Sequence, residues 1–352
     1  MKILHLLNTG KFSGAENVAC QIIDLMKPDV ESVYCSLDGD IRVVLEKRNI
    51  MFEPISCMSM RNVKHVINKI KPDVIHAHDM RASFYAALAC GTIPLVCHVH
   101  NNAYDSRKIN LKSLLFFYAA LKAKHIFWVS DTSFSGYYFH SFLSSKSSVL
   151  LNVINVEKVY ERMKSDVNSY SYDITFVGRL TYQKNPERLI GILKKLLEIL
   201  PSFKAAIIGD GPLKGETEKL VKENKLENNV SLLGFQENPY KILKDSKVML
   251  LVSRWEGLPM CVLEALALGV PVVSTPTDGI SSVIKNENNG YICEGDEEIV
   301  LNLKRILSNN VLYGQMHDNC IENSLKYNDN KLYKNRILEV YKTVSVNEEK
   351  ER

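Results

Sequence analysis

The sequence predicts an α/β protein of two parallel-sheet domains, and three observations carry the prediction. The chain has 352 residues, more than a single hydrophobic core ordinarily organises. Its 46% apolar and 24% charged residues are the balance of a globular protein. Short β-rich runs alternate with helical-period runs twice over, before and after a polar stretch from Asn152 to Tyr172 rich in Lys, Ser, Asn and Tyr. That stretch reads as the join, with domains expected at 1–160 and 161–328 and a last segment at 329–352.

In the first half, Lys2 to Leu7 reads as a buried strand, its apolar run too short for a signal-peptide core. Ala15 to Met26 places Val18, Ala19, Ile22, Ile23 and Met26 on one helical stripe. Ser32 to Ser36 is a strand, Val43 to Arg48 and Val63 to Lys71 are helices, and Val74 to Ala77 is a strand behind Pro72. From Ala82 to Val99 no charged residue occurs, but Gly91, Thr92 and Pro94 divide the run into a helix and a strand rather than a membrane span. A helix from about Leu111 to Ala123 and a strand at 125 to 130 follow. In the second half, strands are expected at DITFV, AAIIG, VSLLG and VMLLV, with helices at Pro186 to Leu200, Leu213 to Asn224 and near 239 to 244. A final helix runs from about Lys331 to Val344. Such order makes a mostly parallel sheet covered on both faces, with ligands at the carboxyl ends of its strands.

The most informative stretch is Ser253 to Ser274, SRWEGLPMCVLEALALGVPVVS. A loop carries Glu256, Pro259 is placed in the first turn of a helix, Glu264 lies inside the helix, and Gly269 ends it before the strand VPVVS. Free N–H groups at a helix start attract phosphate, which carboxylates repel. Two acids beside such a start are suited instead to accepting hydrogen bonds from sugar and ribose hydroxyls. A buried α/β connection capped by Glu256 is the plainer alternative. Farther upstream, Gly178-Arg179-Leu180 follows a strand and Gln183-Lys184-Asn185 precedes a helix, placing two cations to grip a diphosphate; an exposed Arg and Lys on a loop is the other reading.

Together these motifs resemble the E-x7-E signature of the family 4 retaining glycosyltransferases of GT-B architecture, with Glu256 and Glu264 as the acids inside EGLP and LGVPVVS. The resemblance implies two Rossmann-like doubly wound domains facing across a cleft, the first on the acceptor side and the second binding a nucleotide sugar. It also implies that the C-terminal helix crosses back to the first domain. Arg179, Lys184, Glu256 and His100 are then expected in catalysis. Gly14, Gly178, Gly209, Gly211, Phe235, Gly257, Leu258, Pro259, Met260, Cys261 and Glu264 are expected to bind the donor. The implied reaction moves a hexose or N-acetylhexosamine from a UDP-sugar to a lipid-linked saccharide in bacterial surface polysaccharide synthesis (capsule, O-antigen or lipopolysaccharide), without metal or cofactor. A sugar-nucleotide 2-epimerase and a catalytically inactive sugar-nucleotide-binding module are the alternatives. In two places the chain departs from the family pattern: Ser13 replaces the first of two glycines before Ala15-Glu16, and Asn152-Val153 stands where Asn-Gly is usual.

His76, His78, His98 and His100 form two H-x-H pairs, each with both side chains on one strand face. Zinc would need further ligands and Asp79 is the only acid close in sequence, so no metal is expected. His76 and His98 read as core histidines satisfied by backbone. Gly209-Asp210-Gly211-Pro212 lacks the third Gly of a dinucleotide fingerprint. Asp38-Gly39-Asp40 reads as a solvated turn rather than a metal-binding D-x-D. The eight scattered Cys, with no C-x-x-C pair, read as reduced cytoplasmic thiols. A net charge of +4 does not point to nucleic acid. The basic and aromatic stretch from Lys108 to Lys124 allows peripheral contact with the cytoplasmic face of the inner membrane, although such a stripe is more often domain core.

Overall fold

The structure, a computed structural model, describes residues 1–100 and 104–351, with side chains described except at 104–105 and 347–351. Two compact units emerge: Met1–Asn152 with Asn330–Arg352, and Val153–Asp329. The boundary expected at residue 160 falls inside the helix Val156–Ser165, which belongs to the second unit. The stretch read as an irregular join is thus partly helical, started by the Asn155 side chain accepting from the Lys158 N–H.

The first unit carries β1 (Lys2–Leu6), β2 (Glu31–Leu37), β3 (Met51–Ile55), β4 (Val74–His78), β5 (Leu95–Val99), β6 (His125–Trp128) and β7 (Ser147–Val149). Their order is β3-β2-β1-β4-β5-β6-β7, and every pairing is parallel. Pro54 is tolerated in β3 because that strand is at the sheet edge. One face is an aliphatic and aromatic core that includes Leu4, Leu6, Ile75, Cys97, Phe116 and Trp128. Alternation along the strands sends His5, His76, His78 and His98 to the opposite face, where all four are fully buried. Helix Asn330–Glu351 packs against β4 and against helix Gly14–Met26. The C-terminal helix therefore belongs to the first unit, as expected.

The second unit carries β8 (Tyr172–Val177), β9 (Ala205–Ile208), β10 (Val230–Gly234), β11 (Ser246–Leu251), β12 (Val272–Ser274) and β13 (Gly290–Ile292), in the order β10-β9-β8-β11-β12-β13 and again all parallel. In both sheets the strand order reverses once, between β1 and β4 and between β8 and β11. Those two reversals are the topological switch points at which an open α/β sheet takes its ligands.

Candidate active site

At the switch point of the second unit, the loop after β8 and the loop after β11 are stitched together by two residues, Arg254 and Gln183. The Arg254 backbone N–H donates to Gln183 O at 2.8 Å. Its guanidinium donates to Tyr182 O at 3.2 Å and to Asn185 Oδ1 at 3.0 Å, and lies 4.2 Å over the Tyr182 ring. Gln183 answers by donating to Trp255 O at 3.0 Å. Neither Arg254 nor Tyr182 stood out in the sequence, because their role depends on joining segments some seventy residues apart.

This stitching brings Lys184 onto Glu256, with Nζ 2.6 Å from Oε1. Both side chains are largely buried, at 13% and 7% exposure. Burial opposes the lysine's charge, but the Glu256 carboxylate outweighs it and holds the ammonium above its ordinary value. Beneath the lysine stem lies Gly178, where an added Cβ would come within 3.2 Å of Lys184 Cε. Gly209 crosses behind at φ +145, and a Cβ there would stand 1.9 Å from Gly178 O, so glycine is required both by conformation and by space. Gly211 approaches the Leu180 carbonyl in the same way. Arg179 is exposed and its charge is felt at Lys184.

The second acid sits on the helix Met260–Ala267. Pro259 is the residue before this helix, extended at φ −71 and ψ 124, rather than in its first turn as the sequence reading had it. Gly269 does end the helix, at φ +75. Leu258 and Met260 are buried, and Cys261 in the first turn senses Lys184, Glu256 and Glu264 together, burial pushing its thiol up to about 12. The Gly257 carbonyl lies against Gly279. Glu264 is buried and accepts from Tyr240 Oη at 3.1 Å. Burial raises its carboxyl above the ordinary range, against the pull of Tyr240 and of Arg162, whose guanidinium lies over the Tyr240 ring. Phe235, after β10, is 55% exposed. The second unit thus gathers Gly178, Lys184, Gly209, Glu256 and Cys261 into one constellation, with Glu264 engaged by Tyr240.

Gly14 and His100 belong to the first unit. Gly14 opens a helix behind Ser13, whose hydroxyl donates to Glu16, and nothing among the described residues occupies the space a Cβ would fill there. His100 follows β5 and is buried at 8% exposure. It joins not three but four other imidazoles, since His5 of β1 lies beside His76 in the register. The expectation that backbone satisfies His76 and His98 fails: His76 Nδ1 pairs with Tyr341 Oη at 2.6 Å, and neither ring nitrogen of His98 has a partner among the described residues. Two trios, His5-His76-His78 and His78-His98-His100, hold ring nitrogens close enough to consider a metal, a cluster whose extent the H-x-H spacing alone did not reveal. Asp38 is exposed and paired with Arg42 at 2.7 Å, as a solvated turn requires. All eight thiols are free.

The family model for glycosyl transferases group 1 matches residues 160–327, and that for glycosyltransferase family 4 matches residues 27–157. An uncharacterized glycosyltransferase of Methanocaldococcus jannaschii is 32% identical over 279 residues, covering 70% of this chain and 68% of the relative. An Escherichia coli protein named UDP-Gal:alpha-D-GlcNAc-diphosphoundecaprenol alpha-1,3-galactosyltransferase is 26% identical over 353 residues, covering 91% of each. Among solved structures, Anabaena Alr3699/HepE in complex with UDP-glucose superposes with a TM-score of 0.85 at 19% identity, over 97% of this chain and 100% of that one.

Proposed function

The chain belongs to the family 4 type of glycosyltransferases with the GT-B fold, and from that premise we propose that it transfers a hexose or N-acetylhexosamine from a UDP-sugar to a lipid-linked saccharide, with retention and without a metal ion, in bacterial surface polysaccharide synthesis. The observation that carries the reading is the buried Lys184–Glu256 pair beside the start of helix Met260–Ala267. A lysine held protonated by a carboxylate, next to the positive end of a helix, suits a diphosphate. Support for the donor and acceptor classes comes from the names of the relatives, one crystallised with UDP-glucose and one named for a diphosphoundecaprenol acceptor.

In this reading Arg179, Lys184 and the helix start take the negative charge that grows on the departing diphosphate, an electrostatic contribution of about 3 kcal/mol per well-placed donor. Glu256 accepts from a sugar hydroxyl and Glu264 from a ribose hydroxyl, while Phe235 lies toward the base. The bond from the anomeric carbon to the diphosphate oxygen breaks, the acceptor oxygen bonds to the same face, and its proton passes to the departing phosphate. No protein nucleophile takes part. Peripheral membrane contact on the cytoplasmic side fits the exposed Ile109, Leu111, Leu114 and Leu121 interleaved with Lys108, Lys112 and Lys122. Among the described residues no helix is long and apolar enough to cross a membrane.

The test offers purified protein UDP-, GDP- and ADP-sugars with polyprenyl-diphosphate saccharides, with and without chelator. Release of UDP matched by an α-linked product, unchanged by the chelator, is expected. Return of an epimerised nucleotide sugar with no free UDP would replace the reading with the epimerase, and donor binding without turnover across acceptors would leave a binding module.

A further inference from the structure

Glu264 lies on the helix Met260–Ala267, and two other segments of the second unit converge on it. Pro239 leads into the short helix Tyr240–Lys244, whose first residue, Tyr240, is buried at 7% exposure. The run before it is clamped by the helix Val156–Ser165: the Arg162 guanidinium donates to Glu237 O, and Asn238 Nδ2 donates back to Arg162 O at 2.7 Å. This double tie sets the guanidinium 5.2 Å from the centroid of the Tyr240 ring. Two residues earlier, Tyr160 Oη donates to Ala267 O at 3.1 Å, on the side of the helix that also carries Glu264. Tyr240 Oη then meets Glu264 Oε1 at 3.1 Å.

A buried tyrosine–glutamate hydrogen bond is ordinarily a structural link, but this acid is short of donors. A carboxylate has about four acceptor positions. At 8% exposure Glu264 is nearly shut off from water, yet the Tyr240 hydroxyl is the one hydrogen-bond donor it receives among the described residues, and it falls on Oε1. A buried acid so sparingly satisfied is costly to keep for packing alone. The other ionisable groups on the neighbouring elements are engaged elsewhere: Lys244 with Leu268 O, Lys241 with Asp245, Tyr160 with Ala267 O and His317 with Gly269 O. Cys261, three residues before it on the same helix, is a neutral thiol. Tyr240 and Arg162 are the groups that favour the charged carboxylate, against its burial.

We propose that Tyr240, braced by Arg162, is a positioning residue that fixes the Glu264 carboxylate by its Oε1 and reserves Oε2 for the hydroxyls of the donor's ribose, so that the pair selects ribose over deoxyribose nucleotides. The ribose rests on the transferase reading above; the coupling of Tyr240 to Glu264 does not. A carboxylate with one oxygen taken still accepts two hydroxyls at the other, through its two lone pairs. Without the phenol the carboxyl loses its fixed orientation and takes up a proton at higher pH, and a protonated carboxyl accepts fewer bonds.

The experiment measures binding of UDP, 2′-deoxy-UDP and 3′-deoxy-UDP to the full chain by calorimetry, at mildly acid and at mildly alkaline pH. The parent should prefer UDP to the deoxy analogues roughly tenfold. Tyr240→Phe should weaken UDP roughly tenfold at the acid pH, erase most of that preference, and recover most of both at the alkaline pH. Arg162→Lys, which keeps the cation, should bind like the parent, while Arg162→Gln moves part of the way toward Tyr240→Phe. A loss in Tyr240→Phe that is equal for the three nucleotides and at both pH values marks a merely structural residue and overturns the proposal, as does unchanged affinity. Without ligand, carboxyl-carbon NMR on the chain labelled at glutamate, the Glu264 signal being assigned by its loss in Glu264→Gln, should show the titration midpoint rising in Tyr240→Phe; an unmoved midpoint overturns the proposal. Should Tyr240→Phe not fold, Arg162→Gln answers the same question, a raised midpoint supporting the coupling and an unmoved one overturning it. If the parent binds none of the three nucleotides, the transferase reading falls and takes the ribose with it, and the midpoint alone judges whether Tyr240 holds Glu264.

Discussion

The two units share one plan, a parallel sheet with a single reversal of strand order, yet they place opposite chemistry at that reversal. In the first, burial favours neutral imidazoles, of which His5, His78 and His100 are linked to one another and His76 to Tyr341. In the second, a lysine and a glutamate are buried as a charged pair at 2.6 Å. The same topology therefore supports either a neutral polar layer or an ion pair, and what decides is which residues the strands and the loops after them carry. Function is set there, not by the fold.

Acid should separate the units most sharply. The histidines have folded values depressed below the ordinary 6.5, so their contribution is intact above 6.5 and is lost as pH falls toward about 3. His5 and His100 would each forfeit on the order of 2 kcal/mol by about pH 5. Amide exchange should then show β4 and β5 losing protection before β8 and β11; loss in step would break the contrast. Next in size, Lys184→Ala should lower turnover about 10²–10³-fold. It should also cost about 3 kcal/mol in denaturant titration, because Glu256 is left buried and unpaired. Adding Glu256→Gln should restore most of that stability and none of the turnover, whereas wild-type-like turnover in the single variant would remove the lysine from the chemistry.

Glu264→Gln should raise the donor KM about tenfold by weakening a hydroxyl contact. Because the folded carboxyl is raised, its contribution is full below the ordinary 4.5 and is lost as pH rises through the higher folded value. The glutamine variant should accordingly be at least as stable as the parent at neutral pH, with no advantage below 4.5, as thermal melts across pH would show. Smallest, Tyr341→Phe should cost about 1–2 kcal/mol by orphaning His76 Nδ1, while nucleotide affinity measured by calorimetry stays unchanged.

Strands were legible in the sequence where both faces are buried, since β4, β5 and β9 read as continuous apolar or neutral runs. The edge strand β3 was not, because MFEPI carries an acid and a proline that only an edge tolerates. Helix Val156–Ser165 escaped because Val159 alone is buried, leaving no stripe to read. At the site, EGLP and the Gly178–Asn185 loop were visible because their residues are consecutive. Arg254, Tyr240 and His5 were not, because each acquires its role from a residue far along the chain. The histidine cluster shows the limit well: two pairs were visible by spacing, and the strand register added the fifth ring.

The helix Asn330–Glu351 completes a unit whose other part ends at Asn152. During synthesis, the ribosome therefore releases the whole second unit before the first can be closed, and β4 waits with His76 unmatched until Tyr341 emerges. A nascent chain stopped at about residue 329 holds the whole second unit and a first unit that lacks the helix packed on β4, so termination there would yield a sticky product rather than a shorter working one.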